Sequence, residues 1–198
     1  TTAGHNGHFI LSQKVALTLE RSLAKISFYA TKIEGAATSP QIHGINYLAQ
    51  GTRQYSYLFP QDEATLNAIP SRANDRILFS GVAEITGSVA ANDAAARENL
   101  ANYNTIFTDE YFGEVTSGAT AWDTPSMDVN AGVLHVEYSL GEGQQLRHGY
   151  IFLPQILRNH HIKVCLLINS EGGIIINYTV APWEDGNVED LQFDYPTH

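Results

Sequence analysis

The last third of the chain carries its clearest pattern of hydrophobic and polar positions. Large apolar residues recur at every second position in Ile162, Val164, Leu166 and Ile168, and after a Gly-Gly turn again in Ile174, Ile176, Tyr178 and Val180. Side chains point to opposite faces along a β-strand, so this pattern predicts two strands, each with a buried face. A short glycine turn between strands is typical of an antiparallel hairpin. We therefore predict a β-hairpin whose second strand ends at Pro182.

Alternation of the same kind predicts strands along most of the chain. The apolar phase shifts around residues 21–23, which indicates a bulge or short turn between the first two strands. A helix through Leu19, Leu23 and Ile26 is the alternative there. The predicted strands outside the hairpin are residues 15–20, 24–30, 42–48, 55–59, 76–86 (one bent strand or two, broken at Gly81), 133–140, 150–153 and 191–195.

Helical signals are few. Residues 92–103 are predicted to form a helix because Asn92 or Asp93 can cap three alanines, and Asp93 and Arg97 stand four apart. Residues 61–69 allow one helical turn before Pro70. About ten strands with one short helix near 92–103 indicate an all-β protein, folded as a β-sandwich. We expect one β-rich unit over residues 1–198, with a division near 104–130 into lobes 1–103 and 131–198 as the alternative.

Composition narrows the possible functions. The 198 residues are 43% hydrophobic, enough for a buried core, and the formal net charge is −10. An acidic surface repels nucleic acid, so no nucleic-acid partner is expected. Cys165 is the one cysteine, which excludes an internal disulfide and cysteine-rich zinc motifs. The sequence has no run of 18 apolar residues, so it does not predict a membrane-spanning helix.

Candidate chemistry is sparse. The sequence lacks a Gly-x-Ser-x-Gly nucleophile motif and a phosphate-binding glycine loop. His160 and His161 are neighbours in a predicted strand, so they point to opposite faces and cannot easily share an ion with His148. Cys165 falls mid-strand, where a buried thiol is unreactive. We expect no catalytic residue, no cofactor and no metal site.

Aromatic residues leave one binding function open. Trp122 and Trp183 could form a surface platform on which sugar rings stack, although such residues in sandwiches more often belong to the core or its rim. A glycan-binding module is therefore the alternative to a protein that acts through contacts with other proteins.

Two stretches of sequence resemble a known family. Residues 19–26 read Leu-Glu-Arg-Ser-Leu-Ala-Lys-Ile, and Arg158-Asn159-His160 precedes a hydrophobic strand and then Tyr-Thr-Val-Ala-Pro-Trp at 178–183. In this order they are similar to motifs of the Bacteroidales fimbrillin-type proteins, which are pilus subunits and anchors. The resemblance implies transthyretin-like Greek-key sandwiches, no enzymatic activity, and adhesion or pilus assembly as the function. It also implies export to the cell surface, where a lipid anchor upstream of residue 1 would hold the protein at the outer membrane.

The same resemblance implies how partners would be bound. In polymerising subunits of this family, an arginine-specific protease removes an N-terminal strand, and a neighbour's strand takes its place. Arg21 matches the motif's arginine but lies within the region of predicted strand over residues 15–30, so it is not assigned as a cleavage site. The expected partners are other fimbrial subunits or a host or bacterial surface ligand. The candidate strand-exchange segment is the alternating C-terminal stretch with Val188, Leu191, Phe193 and Tyr195.

Overall fold

The fold is that of an all-β protein, as the alternation predicts. A computed structural model describes residues 21–35, 39–117 and 131–183. Within these ranges nine strands form two sheets, and two short α-helices lie in connections between strands of the same sheet. The strands are β1 (Ala24–Ile33), β2 (Gln41–Tyr47), β3 (Arg76–Glu84), β4 (Ser88–Val89), β5 (Asn104–Phe112), β6 (Val133–Ser139), β7 (Arg147–Phe152), β8 (His160–Ile168) and β9 (Ile174–Pro182). The helices are α1 (Glu63–Asn67) and α2 (Ala94–Glu98).

Sheet A joins the two ends of the described chain. Strand β1 lies at its centre and pairs in parallel with β8, so that Lys25 stands opposite His161. On its other side β1 pairs with β5 and, over two residues, with β4. Strand β9 pairs antiparallel with β8 and forms the hairpin predicted from the sequence. Gly172 makes the turn with a φ of 81°, a conformation that glycine adopts without strain.

Sheet B is antiparallel and has the order β3-β2-β6-β7. Its inner face packs on sheet A around a continuous apolar core. Two hydrogen bonds join the sheets along one side: Tyr138 donates to the carbonyl oxygen of Gly172 at 2.8 Å, and Tyr178 donates to that of Phe152 at 2.6 Å. The largest fully buried side chains of the core are Phe28, Ile26, Ile42, Ile45, Tyr47, Ile85, Leu134, Ile151, Leu153, Ile156, Ile162 and Leu166.

The helical predictions are correct in place but differ in extent. The helix predicted over 92–103 is the single turn α2, followed by a 3-10 turn at Leu100–Asn102. Asp93 caps α2 by accepting a hydrogen bond from the amide of Ala96 at 2.9 Å. Helix α1 lies within residues 61–69, where a helical turn was allowed. Because Asn99 is extended and caps the next turn, the longer helix does not form.

One strand prediction is wrong, and two strands were missed. Residues 55–59 form a loop instead of a strand. Strands β4 and β5 had not been predicted. The predicted strands over 15–20 and 191–195 lie outside the described residues, and the transthyretin-like Greek-key connection stays a prediction. Both sheets combine strands from either side of residues 104–130.

Candidate functional site

Strand β9 forms one edge of sheet A. It pairs with β8 over nine residues without a register shift, and no other strand in the described part of the chain pairs with it. Its sequence, Ile-Ile-Ile-Asn-Tyr-Thr-Val-Ala-Pro, carries no charge. Natural proteins usually protect edge strands with charges, prolines or bulges. Here only the last residue, Pro182, provides such protection, so β9 presents a long, regular and uncharged edge.

A groove runs beside this edge on the outer face of sheet A. Its volume is about 400 Å³, and it lies between β8 and β9 on one side and the segment around α2 on the other. Both charges and apolar groups line it, so it is suited to side chains of mixed character. The lining residues are Arg97, Glu98, Leu100, Lys163, Cys165, Asn177, Tyr178, Thr179 and Val180.

Cys165 lies in this groove, but its surroundings disfavour the reactive thiolate form. Its side chain is buried, and burial raises the pKa of the thiol to about 11. The nearby charge of Lys163 only partly opposes this effect. The expectation from the sequence that Cys165 is packed and unreactive therefore agrees with its surroundings.

Strand β3 forms the edge of sheet B and is more irregular. It exposes Ile77 and Val82, at 68% and 65% of their surface. Its pairing with β2 contains two register shifts, and Gly81 has a φ of 148°. Bulges and kinks of this kind hinder the addition of another strand. Strand β9 is therefore the better surface for strand pairing.

The loop at residues 55–59, here called the aromatic loop, exposes Leu58 and Phe59 at 70% and 72%. Its backbone is held by Arg158, which donates to the carbonyl oxygens of Tyr57, Leu58 and Phe59 at 3.2–3.4 Å. A guanidinium in place of a neighbouring strand satisfies these carbonyls, which explains why the predicted strand is absent. The result is an ordered apolar loop.

A small pocket beside this loop concentrates positive charge. Three of the chain's seven arginines, Arg53, Arg72 and Arg76, line a cavity of about 160 Å³ together with Tyr55 and Tyr111. We call it the arginine pocket. Arg76 is paired with Glu110, whereas the buried Nε of Arg53 has no hydrogen-bond partner within residues 21–35, 39–117 and 131–183. Such a pocket is suited to a carboxylate or another small anion.

Of the two tryptophans, Trp183 lies within the described residues. Trp183 is half-buried, its ring stacks on Tyr111 at 5.4 Å, and the guanidinium of Arg21 lies 4.3 Å from its centre. Trp122 lies outside the described residues, and so do Val188, Leu191, Phe193 and Tyr195. The roles predicted for these residues therefore stay predictions.

The structure does not bring His148 together with His160 and His161, the three histidines that the sequence analysis considered as a metal site. His160 lies 2.7 Å from the carbonyl oxygen of Arg158, and His161 lies 2.7 Å from the hydroxyl of Ser27. His148 belongs to sheet B, where it lies beside His135 and Glu137. The sequence holds a weak signal for this group, because His135 and Glu137 stand two positions apart on β6 and therefore share a face. That His148 on β7 lies beside them is set by the pairing register of the two strands, which the sequence alone does not reveal.

Comparisons with known proteins give likenesses of fold. No family model matches the chain, and no curated protein does. Several solved structures are similar to it. A candidate cell adhesion protein from Parabacteroides distasonis is 13% identical, with a TM-score of 0.45 over 86% of this chain and 54% of its own. A fimbrial protein from Bacteroides vulgatus is 13% identical, with a TM-score of 0.44 over 82% and 55%.

A third likeness is to the tip fimbrial protein of Porphyromonas gingivalis, which is 13% identical with a TM-score of 0.40 over 83% of this chain and 52% of its own. This chain thus spans about half the length of the solved structures it matches. Among the described residues, no helix has the length and hydrophobicity needed to cross a membrane.

Proposed function

We propose that the chain is a non-enzymatic cell-surface component of adhesion or pilus type, which assembles with other subunits by β-strand pairing at the outer membrane. The fimbrillin-like sequence motifs suggest this function, and the names of the solved structures are in keeping with it. Because those likenesses are distant, the proposal rests on the strands of this chain. The observation that carries it is the open, uncharged edge of β9.

Strand addition explains the features of this edge. An incoming strand would pair with the backbone groups on the side of β9 that no described strand occupies, and its alternate side chains would lie over the groove beside Asn177 and Thr179. The segment with Val188, Leu191, Phe193 and Tyr195 supplies the required alternation. We propose that this segment of one copy pairs with β9 of a neighbouring copy.

Disulfide trapping tests this arrangement. In a Cys165→Ala background, one protein carries Thr179→Cys on β9, and another carries Gln192→Cys in the donor segment. Two cysteines form a disulfide only when their Cα atoms approach within about 7 Å. Mixing the two proteins under mild oxidation is expected to give a covalent heterodimer. Replacing Gln192→Cys by Asp190→Cys or Asp194→Cys scans the register.

The controls separate pairing between chains from pairing within one chain. Glu142→Cys lies in an exposed turn and should trap no dimer when mixed with the β9 variant. If the disulfide forms only when both cysteines are in one chain, the C-terminal segment is an ordinary last strand, and the proposed assembly is wrong. A monomer throughout, measured by analytical ultracentrifugation, leads to the same conclusion.

A second candidate function, binding of an acidic glycan, is favoured by the arginine pocket. Arg53 and Arg72 have no carboxylate partner among the described residues, although the chain as a whole is acidic. Tyr55 and Tyr111 are exposed at the pocket and offer aromatic faces to a sugar ring. A carboxylate-bearing sugar satisfies both features, which makes this pocket a better glycan site than Trp183.

Binding of galacturonate oligosaccharides by calorimetry tests this candidate. The variant Arg72→Ala is expected to lower the affinity about tenfold, because it removes a charge-assisted hydrogen bond. Arg147→Ala, an exposed arginine outside the pocket, serves as the matched control. Equal binding of neutral oligosaccharides, or equal affinity of both variants, would rule out the acidic-glycan site.

A further inference from the structure

Three side chains that commonly bind metal ions converge on the outer face of sheet B. His135 and Glu137 stand two apart on β6 and share this face, and His148 on β7 stands directly opposite Glu137. The Nε2 atom of His135 lies 3.0 Å from Nδ1 of His148, which in turn lies 3.7 Å from Oε1 of Glu137. We call these three residues the histidine cluster.

We propose that the histidine cluster binds a divalent transition-metal ion of the zinc type. Imidazole nitrogens and a carboxylate oxygen are ligands that zinc accepts, at bond lengths of about 2.0–2.2 Å. Tetrahedral geometry at those lengths separates neighbouring donor atoms by about 3.3 Å. The two distances in the cluster lie on either side of this value, and all three donor atoms lie within 4.8 Å of one another.

The surroundings leave room for an ion. Gly44 on β2 stands beside Glu137, and a Cβ atom there would lie 3.2 Å from Oε2 of the carboxylate. The ring of Tyr150 stacks on that of His135 at 4.9 Å and limits its orientation. A larger residue in place of this glycine would crowd the carboxylate.

Binding requires one small adjustment. The two imidazole rings are stacked with 14° between their planes, so their lone pairs do not yet point at one spot. The side chain of His148 is 52% exposed, and binding of an ion would require its ring to turn about the Cβ–Cγ bond. The ion would then have three protein ligands and one open position, filled by water or by a group from a partner. It would also tie the edge strand β7 to β6.

Zinc titration of the full chain tests the site. The double variant His5→Ala/His8→Ala serves as the parent protein, because it removes N-terminal histidines that could bind zinc on their own. Calorimetry is expected to show one zinc ion bound per chain. Cobalt, used as a spectroscopic probe, is expected to give the visible absorption of a tetrahedral site. Magnesium, which prefers oxygen ligands, should not compete.

Single variants locate the site. In this parent, His148→Ala is expected to weaken zinc binding about tenfold or more, and circular dichroism should confirm that the exposed substitution preserves the fold. His160→Ala, a histidine outside the cluster, should leave affinity unchanged. Zinc binding that is absent, or that is equal in the parent and the His148→Ala variant, would overturn the proposal. Loss of binding in the His160→Ala variant would do so as well.

Discussion

Arg158 and Glu114 form a buried ion pair in which two N–H groups of the guanidinium, Nε and Nη2, donate to the same carboxylate oxygen at 2.9 and 2.6 Å. Their side chains are only 8% and 11% exposed. The remaining donors of Arg158 hold the backbone of the aromatic loop. The pair therefore connects the loop to the segments that enclose the core.

Breaking this pair should destabilise the protein strongly. Arg158→Ala leaves the Glu114 carboxylate buried without its partner, and such a loss costs about 3–5 kcal/mol. We expect urea denaturation to show a decrease of this size in the free energy of unfolding. Hydrogen exchange in the aromatic loop should also accelerate, because its carbonyls lose their donors.

The exposed pair between Lys25 and Asp109 is the matched comparison. Its nitrogen and oxygen lie 2.7 Å apart, but the side chain of Asp109 is 62% exposed. Solvent screens a pair whose carboxylate is so exposed, so Asp109→Asn should have little effect on stability. Equal losses in the two variants would mean that the burial of Arg158 does not set the energy of its pair.

A second prediction concerns the close packing of Tyr47 on Gly132. A Cβ atom at Gly132 would lie 2.4 Å from the hydroxyl oxygen of Tyr47, which donates to the carbonyl of Gly51 at 3.0 Å. Gly132→Ala should therefore cost about 1–3 kcal/mol of stability. Tyr47→Phe alone should cost about 1 kcal/mol through the lost hydrogen bond.

The double variant gives the decisive comparison. Because Tyr47→Phe removes the atom that the new methyl group would strike, the double variant should be more stable than the sum of the two losses predicts, by about 1 kcal/mol. Strict additivity in thermal and chemical denaturation would show that the clash at Gly132 is relieved in another way.

Acid should weaken the fold through His161. Burial, together with the charges of Lys25 and Lys163, lowers the pKa of this imidazole to about 4, while Asp109 acts in the opposite direction. In the unfolded chain it takes up a proton near pH 6.5. The unfolded state therefore binds more protons between pH 6.5 and 4, and stability falls as the pH drops through this range.

Denaturation of the wild type and of His161→Gln at pH 7, 5.5 and 4.5 checks this effect. The wild type is expected to lose more stability than the variant over this range, with His148→Gln as an exposed control. An NMR titration should show His161 neutral at pH 5.5. Protonation of His161 near pH 6.5, or equal pH dependence in all three proteins, would contradict the prediction.

Cys165 should resist thiol reagents while the protein is folded. Its pKa near 11 leaves little thiolate at pH 8, and its side chain is buried. Reaction with a coloured disulfide reagent is expected to be slow in buffer and rapid in denaturant. Rapid labelling of the native protein would instead mean that the groove beside β9 opens readily.

The sequence predicted the strands in which large apolar residues recur at every second position. Strands β8 and β9 have this pattern, and both form where expected. Strand β5 was missed because Asn104–Phe112 has no regular alternation. Opposite it, register shifts near Phe28 disturb the order of buried and exposed positions. The local pattern could not reveal that β1 pairs with β8, since this contact depends on the whole chain.

The candidate sites were harder to predict, because each depends on residues from distant segments. The arginine pocket combines Arg53, Arg72 and Arg76 with Tyr111, and Arg158 finds its partner in Glu114. No local pattern connects these residues. Cys165 was correctly expected to be packed, since its place in an apolar strand is a local property.

The parallel pairing of β1 with β8 also determines when folding can begin. Ser27 and His161, which are hydrogen-bonded across this pair, stand 134 positions apart. Closing so long a loop is slow, and sheet A cannot acquire its central pair until Ile168 has left the ribosome. A nascent chain therefore lacks the centre of sheet A while all the residues between Ser27 and His161 are being made.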